Sequence, residues 1–209
     1  MIGVRATSEL KKPDTRPTRR VPPVVAIAAS AGGIQALTVL LDALSPSFPA
    51  CVLIAMHLSP HHPSQLAQIL ARSTSVPVVD ATEGTAPEAA HVYLAPTNRH
   101  LLLGTDGRLH LSGADAVHFA RPAADVLFLS VAEVSMHDAI GVVLSGTGKD
   151  GTDGVRHIKS AGGFTIAQDE GTSGFFGMPG SAIQSGAVDR VLPIEQIAAL
   201  LRALTGENS

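Results

Sequence analysis

The chain has 209 residues, 45% apolar and 16% charged, which suits one α/β domain with at most a tail and excludes wholesale disorder. Its formal charge of −3 divides unevenly: residues 1–20 hold six Lys/Arg against Glu9 and Asp14, an excess of +4 that leaves −7 on the remainder, so no nucleic-acid partner is expected for the folded part. The longest apolar runs, near Val24–Ala29 and Ala50–Met56, fall far short of the roughly 20 residues of a membrane-spanning helix, and a lone Cys51 excludes an intramolecular disulfide framework and suits a reducing cytoplasm.

Residues 1–22 read as a disordered basic leader, in which Arg5, Lys11, Lys12, Arg16, Arg19 and Arg20 are interrupted by Pro13, Pro17 and Pro22, with no signal-type apolar stretch behind them. A single domain is expected over 23–205, and 206–209 as a tail. Val24–Ala29 is short and wholly apolar, as a strand buried on both faces should be. Gly32-Gly33 then opens an apolar-periodic helix, roughly Ile34–Leu44. Cys51–Met56 predicts a second buried strand and Ser64–Ser73 a second helix, followed by strands at Val76–Asp80 and Val92–Ala95.

Leu101–Leu103 and Arg108–Leu111, joined by Gly104-Thr105-Asp106-Gly107, predict a β-hairpin that adds an antiparallel edge to the sheet. A helix follows Pro122 to about His137. A strand at Ile140–Leu144, a helix at Thr152–Ser160 and a strand at Phe164–Ala167 come next. A helix over Pro179–Gln184, a strand at Val188–Val191 and a helix over Pro193–Leu204 complete the chain. Alternating apolar strands and helices imply an α/β fold: a doubly wound, mostly parallel sheet with helices on both faces and an antiparallel hairpin.

In such sheets ligands bind beyond the carboxyl ends of the strands. Ser30 follows the first strand, His57 the second, and Asp150 lies in the loop after the strand ending near Leu144. Together they are a nucleophile, a base and an orienting carboxylate. Taken alone, Ser30 in Ala28-Ala29-Ser30-Ala31-Gly32-Gly33 fits three roles: a helix N-cap, a nucleophile on a sharp strand-to-helix turn, or part of a phosphate-cradling turn. His57, His61 and His62 could suggest a metal pair, but Pro60 and Pro63 oppose the helix this would need. Gly146, Gly148 and Gly151 form G-x-G-x-x-G between a strand and a helix, with Asp169 and Glu170 ending the next strand, so a dinucleotide site is a rival. Against it, Asp150 places a carboxylate where a pyrophosphate would lie. A Walker A loop is excluded, because Lys149 is not followed by Ser or Thr.

Several blocks together resemble the catalytic domains of CheB-type protein-glutamate methylesterases. They are Ala29-Ser30-Ala31-Gly32-Gly33, Met56-His57-Leu58, Arg121-Pro122-Ala123-Ala124-Asp125-Val126-Leu127-Phe128, Gly146-Thr147-Gly148-Lys149-Asp150-Gly151, Gln168-Asp169-Glu170-Gly171-Thr172-Ser173 and Phe176-Gly177-Met178-Pro179. The similarity runs in order from about Val24 to Leu204. It implies Ser30 as nucleophile, His57 as general base and Asp150 as orienting acid, with backbone amides near Ala31 and Thr147 at the oxyanion. Two positions depart from the family pattern: Thr147 stands where Met is usual, and Ala31 where Thr is usual. The resemblance further implies hydrolysis of glutamate γ-methyl esters on the cytoplasmic region of a chemoreceptor, deamidation of glutamines there, and no metal or organic cofactor. Family members carry a receiver domain before the catalytic one. The residues preceding Val24 are too few to form it, so a stand-alone enzyme is expected, with control by a separate regulatory protein. The alternative is a non-catalytic module that binds a receptor or nucleotide through Gly146–Gly151.

Overall fold

A computed structural model describes residues 21–57 and 64–207. Most of the basic leader, together with Leu58, His61, His62 and the last two residues, lies outside the described residues. The elements run β1 (Val24–Ala29), α1 (Gly33–Asp42), β2 (Cys51–Met56), α2 (Leu66–Ala71), β3 (Val78–Asp80), β4 (Val92–Leu94), β5 (His100–Leu103), β6 (Leu109–Ser112) and α3 (Ala124–Ser135). A 3-10 turn at Met136–Asp138 leads to β7 (Ala139–Val143), α4 (Thr152–Ser160), β8 (Phe164–Gln168), α5 (Gly177–Gln184), β9 (Arg190–Leu192) and α6 (Ile194–Thr205).

Seven strands form one sheet in the order β3-β4-β2-β1-β7-β8-β9, every neighbouring pair parallel. Both faces of β1 are buried, and its residues alternate between two cores. Val25, Ile27 and Ala29 meet Leu37, Leu41, Ile197 and Leu201 of α1 and α6 on one side. Val24, Ala26 and Ala28 belong with Leu127, Phe128, Val155 and Met178 of α3, α4 and α5 on the other. Two-sided burial is why these strands lack polar alternation.

The hairpin does pair antiparallel, Leu101 opposite Leu111, but β5 and β6 form a separate two-stranded sheet and not an edge of the main one. Leu101, Leu103 and Leu109 are buried in the α3-side core, and the Leu103 amide donates to Ser130 Oγ of α3. The hairpin therefore caps a helix face. Other bounds shift for local reasons. The second helix is six residues long, because Ser64 Oγ accepts the Leu66 amide and turns the chain before it. The last strand starts at Arg190, since Asp189 accepts from the Thr165 amide and hydroxyl and pins the entry.

From β1 the chain moves outward to β2 and then to β3 at the edge, returns to β4 between those two, and crosses to β7 on the other side of β1 before continuing to β9. The order reverses at β1. Its carboxyl end, beside that of β7, is the crevice where doubly wound sheets place their chemistry.

Candidate active site

Ser30 leaves β1 at this crevice. Its amide donates to the Ser145 carbonyl beyond β7, and its own carbonyl accepts the Gly33 amide, closing a tight turn into α1. Gly32, not Ser30, is the N-cap of α1, with no side-chain cap. No described residue accepts or donates a hydrogen bond at Ser30 Oγ, so the hydroxyl is not consumed in holding the helix. Two glycines permit this geometry. Gly32 has φ +75°, and a Cβ there would sit 2.5 Å from Ser145 Oγ; a Cβ on Gly146 would meet Ser30 Cβ at 2.9 Å and Met178 Sδ at 2.2 Å.

Ala29 pairs with Met56 across β1 and β2, so the next residues, Ser30 and His57, emerge from adjacent strand ends. The His57 amide donates to the Ala29 carbonyl. On its other side the His57 ring meets Asp150, with Nε2 2.7 Å from Oδ2. A carboxylate on Nε2 fixes the proton there and leaves Nδ1 as the basic nitrogen of the ring. No hydrogen bond joins Ser30 Oγ to His57 in the structure. Contacts of this kind often tighten only when substrate is bound.

Asp150 is 2% exposed and saturated with donors. Oδ2 also accepts the Ala124 amide at 2.7 Å, while Oδ1 accepts those of Asp125 and Gly151, each at 3.0 Å. The first two amides are orphan donors of the α3 N-terminus, where negative charge is favoured. Burial pushes the Asp150 carboxyl up, but the bonds from His57, Ala124 and Asp125 outweigh it and hold it below the ordinary carboxylate range. It stays ionised as a partner for imidazolium. Asp153, three residues on in the sequence, is exposed and paired with Arg156 at 2.5 Å.

Asp125 is the opposite case. Burial raises its carboxyl; the Gly154 amide bonded to Oδ1 offsets part of this, and the charges of Asp150 and Asp153 add to the rise. Its Oδ2 is buried without a hydrogen-bond partner. Since the folded value lies above the ordinary 3.8, the folded protein holds this proton longer than the unfolded chain, and stability falls as pH rises between the two values. Asp150 contributes with the opposite sign: its stabilisation is full above the ordinary carboxylate range and is lost as pH falls through its lowered value. Asp125→Asn keeps the acceptor for Gly154 and removes the charge. Its melting temperature relative to wild type is therefore expected to climb as pH rises from the ordinary carboxylate range, in thermal melts run from acid to neutral pH. A constant difference would contradict the assignment.

The glycine loop is closed to a pyrophosphate. The Asp150 carboxylate takes the Gly151 amide, a donor a pyrophosphate would need, and Asp169 is spent on the Thr172 amide and hydroxyl. Titration calorimetry with NAD or NADP is expected to show no binding; micromolar affinity would contradict this. A cleft of about 380 Å³ does open here, its walls including His57, Asp150, Thr147, Lys149 and the loop around Ala120. Thr147 lines this cleft, whereas Ser30 and Ala31 are not among its walls. Neither the Ala31 nor the Thr147 amide donates to any described residue.

Ser145 and Gln168 hold the crevice together, and motif reading did not single them out. Ser145 Oγ donates to the Ala31 carbonyl at 2.7 Å and accepts the Phe175 amide at 3.0 Å. The Ser145 amide donates to Gln168 Oε1, and Gln168 Nε2 donates to the Thr172 carbonyl. Their one sequence signal is position: polar residues at or just past the carboxyl ends of apolar strands.

An open crevice with a serine turn beside a histidine–aspartate pair is the arrangement of a serine hydrolase. Residues 25–201 match the family model for CheB methylesterase. The chain is 44% identical over 197 residues, 94% of its length, to protein-glutamate methylesterase/protein-glutamine glutaminase 3 of Burkholderia orbicola, and 42% identical over 211 residues to enzyme 2 of that name in Anaeromyxobacter dehalogenans. It covers 58% and 61% of those two proteins, so it spans about three fifths of the length of these curated relatives. The crystal structure of the Thermotoga maritima CheB methylesterase catalytic domain superposes with a TM-score of 0.85 at 34% identity, covering 88% of this chain and 100% of that one. The chain belongs to the CheB methylesterase family.

Proposed function

We propose that the chain is a serine carboxylesterase that hydrolyses glutamate γ-methyl esters on a methyl-accepting chemoreceptor, and deamidates glutamines at the same site. The observation that carries this is the buried, donor-saturated Asp150 bonded to His57 at the strand end next to Ser30. Family membership and the names of the relatives support it. His57 Nδ1 takes the Ser30 proton as Oγ attacks the ester carbonyl, and Asp150 stabilises the imidazolium that results. The uncommitted amides of Ala31 and Thr147 are the candidate donors to the oxyanion; both are backbone groups, so Ala31 and Thr147 serve despite departing from the family pattern. The imidazolium then gives its proton to the methoxide oxygen as the C–O bond breaks, so that methanol leaves and the acyl-serine remains. Water attacks the acyl-serine with His57 again as base, freeing glutamate and Ser30.

No helix among the described residues is long and apolar enough to cross a membrane. The partner is the methylated cytoplasmic region of the receptor, and the buried Cys51, its thiol pushed up to about 12 by burial, suits that compartment. Methanol release from membranes carrying a methylated receptor tests the proposal. Release that depends on this protein is expected. A folded protein that binds such membranes without releasing methanol would instead be a non-catalytic docking module.

A further inference from the structure

The chain has only six phenylalanines and one tyrosine. Among the described residues two phenylalanines are exposed, and both stand at the reactive crevice. Phe119, at 105% exposure the most exposed large apolar side chain described, lines the cleft that contains His57 and Asp150. Phe175 is not a wall of that cleft but lies at the serine turn, its ring edge 3.5 Å from where a Cβ on Gly32, two residues after Ser30, would be. A single exposed apolar residue needs no explanation. Two beside the triad residues, one at the His57–Asp150 cleft and one at the Ser30 turn, in a chain this poor in aromatics do.

The backbone beneath Phe119 adds a second observation. Val117 and Ala120 exchange both backbone hydrogen bonds, so His118 and Phe119 are the central pair of a tight turn, at φ +50° and +64°. Such turns favour Asn-Gly, and a bulky residue at positive φ is strained. The surroundings hold the strain. Arg121 directly after the turn donates to Asn98 Oδ1 and to the Gly113 and Ala114 carbonyls, and His118 Nε2 is 3.4 Å from the buried Asp125 Oδ2. Strain kept next to a reactive site, for a side chain that packs against no described residue, points to a contact made outside the chain.

We propose that Phe119 and Phe175 are the two grips for the protein substrate, seating apolar side chains on either side of the esterified glutamate so that the ester lies over Ser30. This deepens the esterase proposal and rests on it. The grips determine specificity: they select a protein segment over a free small ester and take no part in bond making.

The test compares methylated receptor membranes with a small soluble ester, 4-nitrophenyl acetate. Phe119→Ser and Phe175→Ser are each expected to raise KM for the receptor about tenfold with kcat little changed, the effect of losing roughly half a buried ring. Phe119→Ser should leave small-ester kcat/KM within about twofold, because the contact is absent there. Phe119→Gly should weaken receptor turnover in the same way while raising the melting temperature, since glycine relieves the positive φ. Unchanged receptor KM in both serine variants, or equal losses on both substrates for Phe119→Ser, would overturn the grips and leave the esterase assignment standing. A wild-type protein that hydrolyses the small ester and no methylated receptor would overturn both.

Discussion

Ser30→Ala is expected to lower ester hydrolysis by about five to six orders of magnitude with the fold intact, in single-turnover assays of methanol release. Every interaction that Ser30 makes with the fold runs through its backbone: the amide to Ser145, the carbonyl from Gly33. Alanine keeps both. The hydroxyl neither caps α1 nor bonds to a described residue, so its loss should leave the melting temperature essentially unmoved. Nucleophile and base act as a unit, and Ser30→Ala combined with His57→Ala should be scarcely slower than Ser30→Ala alone. Additive losses, or a folded Ser30→Ala protein with more than about 1% of normal turnover, would place the nucleophile elsewhere.

Asp150→Asn should be nearly as damaging, and for two separable reasons. Asparagine presents one acceptor and one NH2 group where three backbone amides and the His57 N–H converge. If the NH2 replaces Oδ2 it faces His57 and Ala124; if it replaces Oδ1 it faces Asp125 and Gly151. No rotamer flip escapes a donor-to-donor contact. The first orientation also turns the imidazole to the wrong tautomer, for which a rate loss of about four orders of magnitude is expected. Leaving buried amides unpaired at the α3 N-terminus should cost about 1–3 kcal/mol of stability, which urea denaturation would read alongside turnover. A fully stable Asp150→Asn variant would contradict the hydrogen-bond map. A fully active one would contradict the role of Asp150.

The parts of this molecule legible in the sequence are those that carry a local signal. Wholly apolar β1 and β2 announce a sheet covered on both faces, and Thr152–Ser160 is marked by its apolar period and by Gly151 before it. Ser30, His57 and Asp150 could be singled out because the carboxyl ends of parallel strands are where side chains converge. What the sequence hid depends on contacts far along the chain. The hairpin strands look like any edge pair until the buried faces of Leu101 and Leu109 meet α3 and not the sheet. The glycine loop is ambiguous between nucleotide and carboxylate chemistry until the α3 amides of Ala124 and Asp125, about 25 residues earlier, are seen to hold Asp150. Ser145 directly precedes the glycine loop and Gln168 opens one of the family-like blocks, but neither carries a local sign of its role, which runs through backbone groups of the loops around them. The left-handed His118-Phe119 pair has no turn signature because it violates the residue preferences of its own turn.

Covalent labelling tests the central claim, a Ser30 nucleophile activated by His57 and Asp150, most directly. A fluorophosphonate reacts with a serine only where a base draws off the hydroxyl proton and donors receive the oxyanion, so it reports the assembled site without any receptor. Incubation followed by peptide mass spectrometry should find one equivalent of adduct on the peptide containing Ser30, much slower labelling in His57→Ala and Asp150→Asn, and none in Ser30→Ala. Adduct on another residue, or a wild-type protein that hydrolyses methyl esters while Ser30 stays unlabelled, would contradict it.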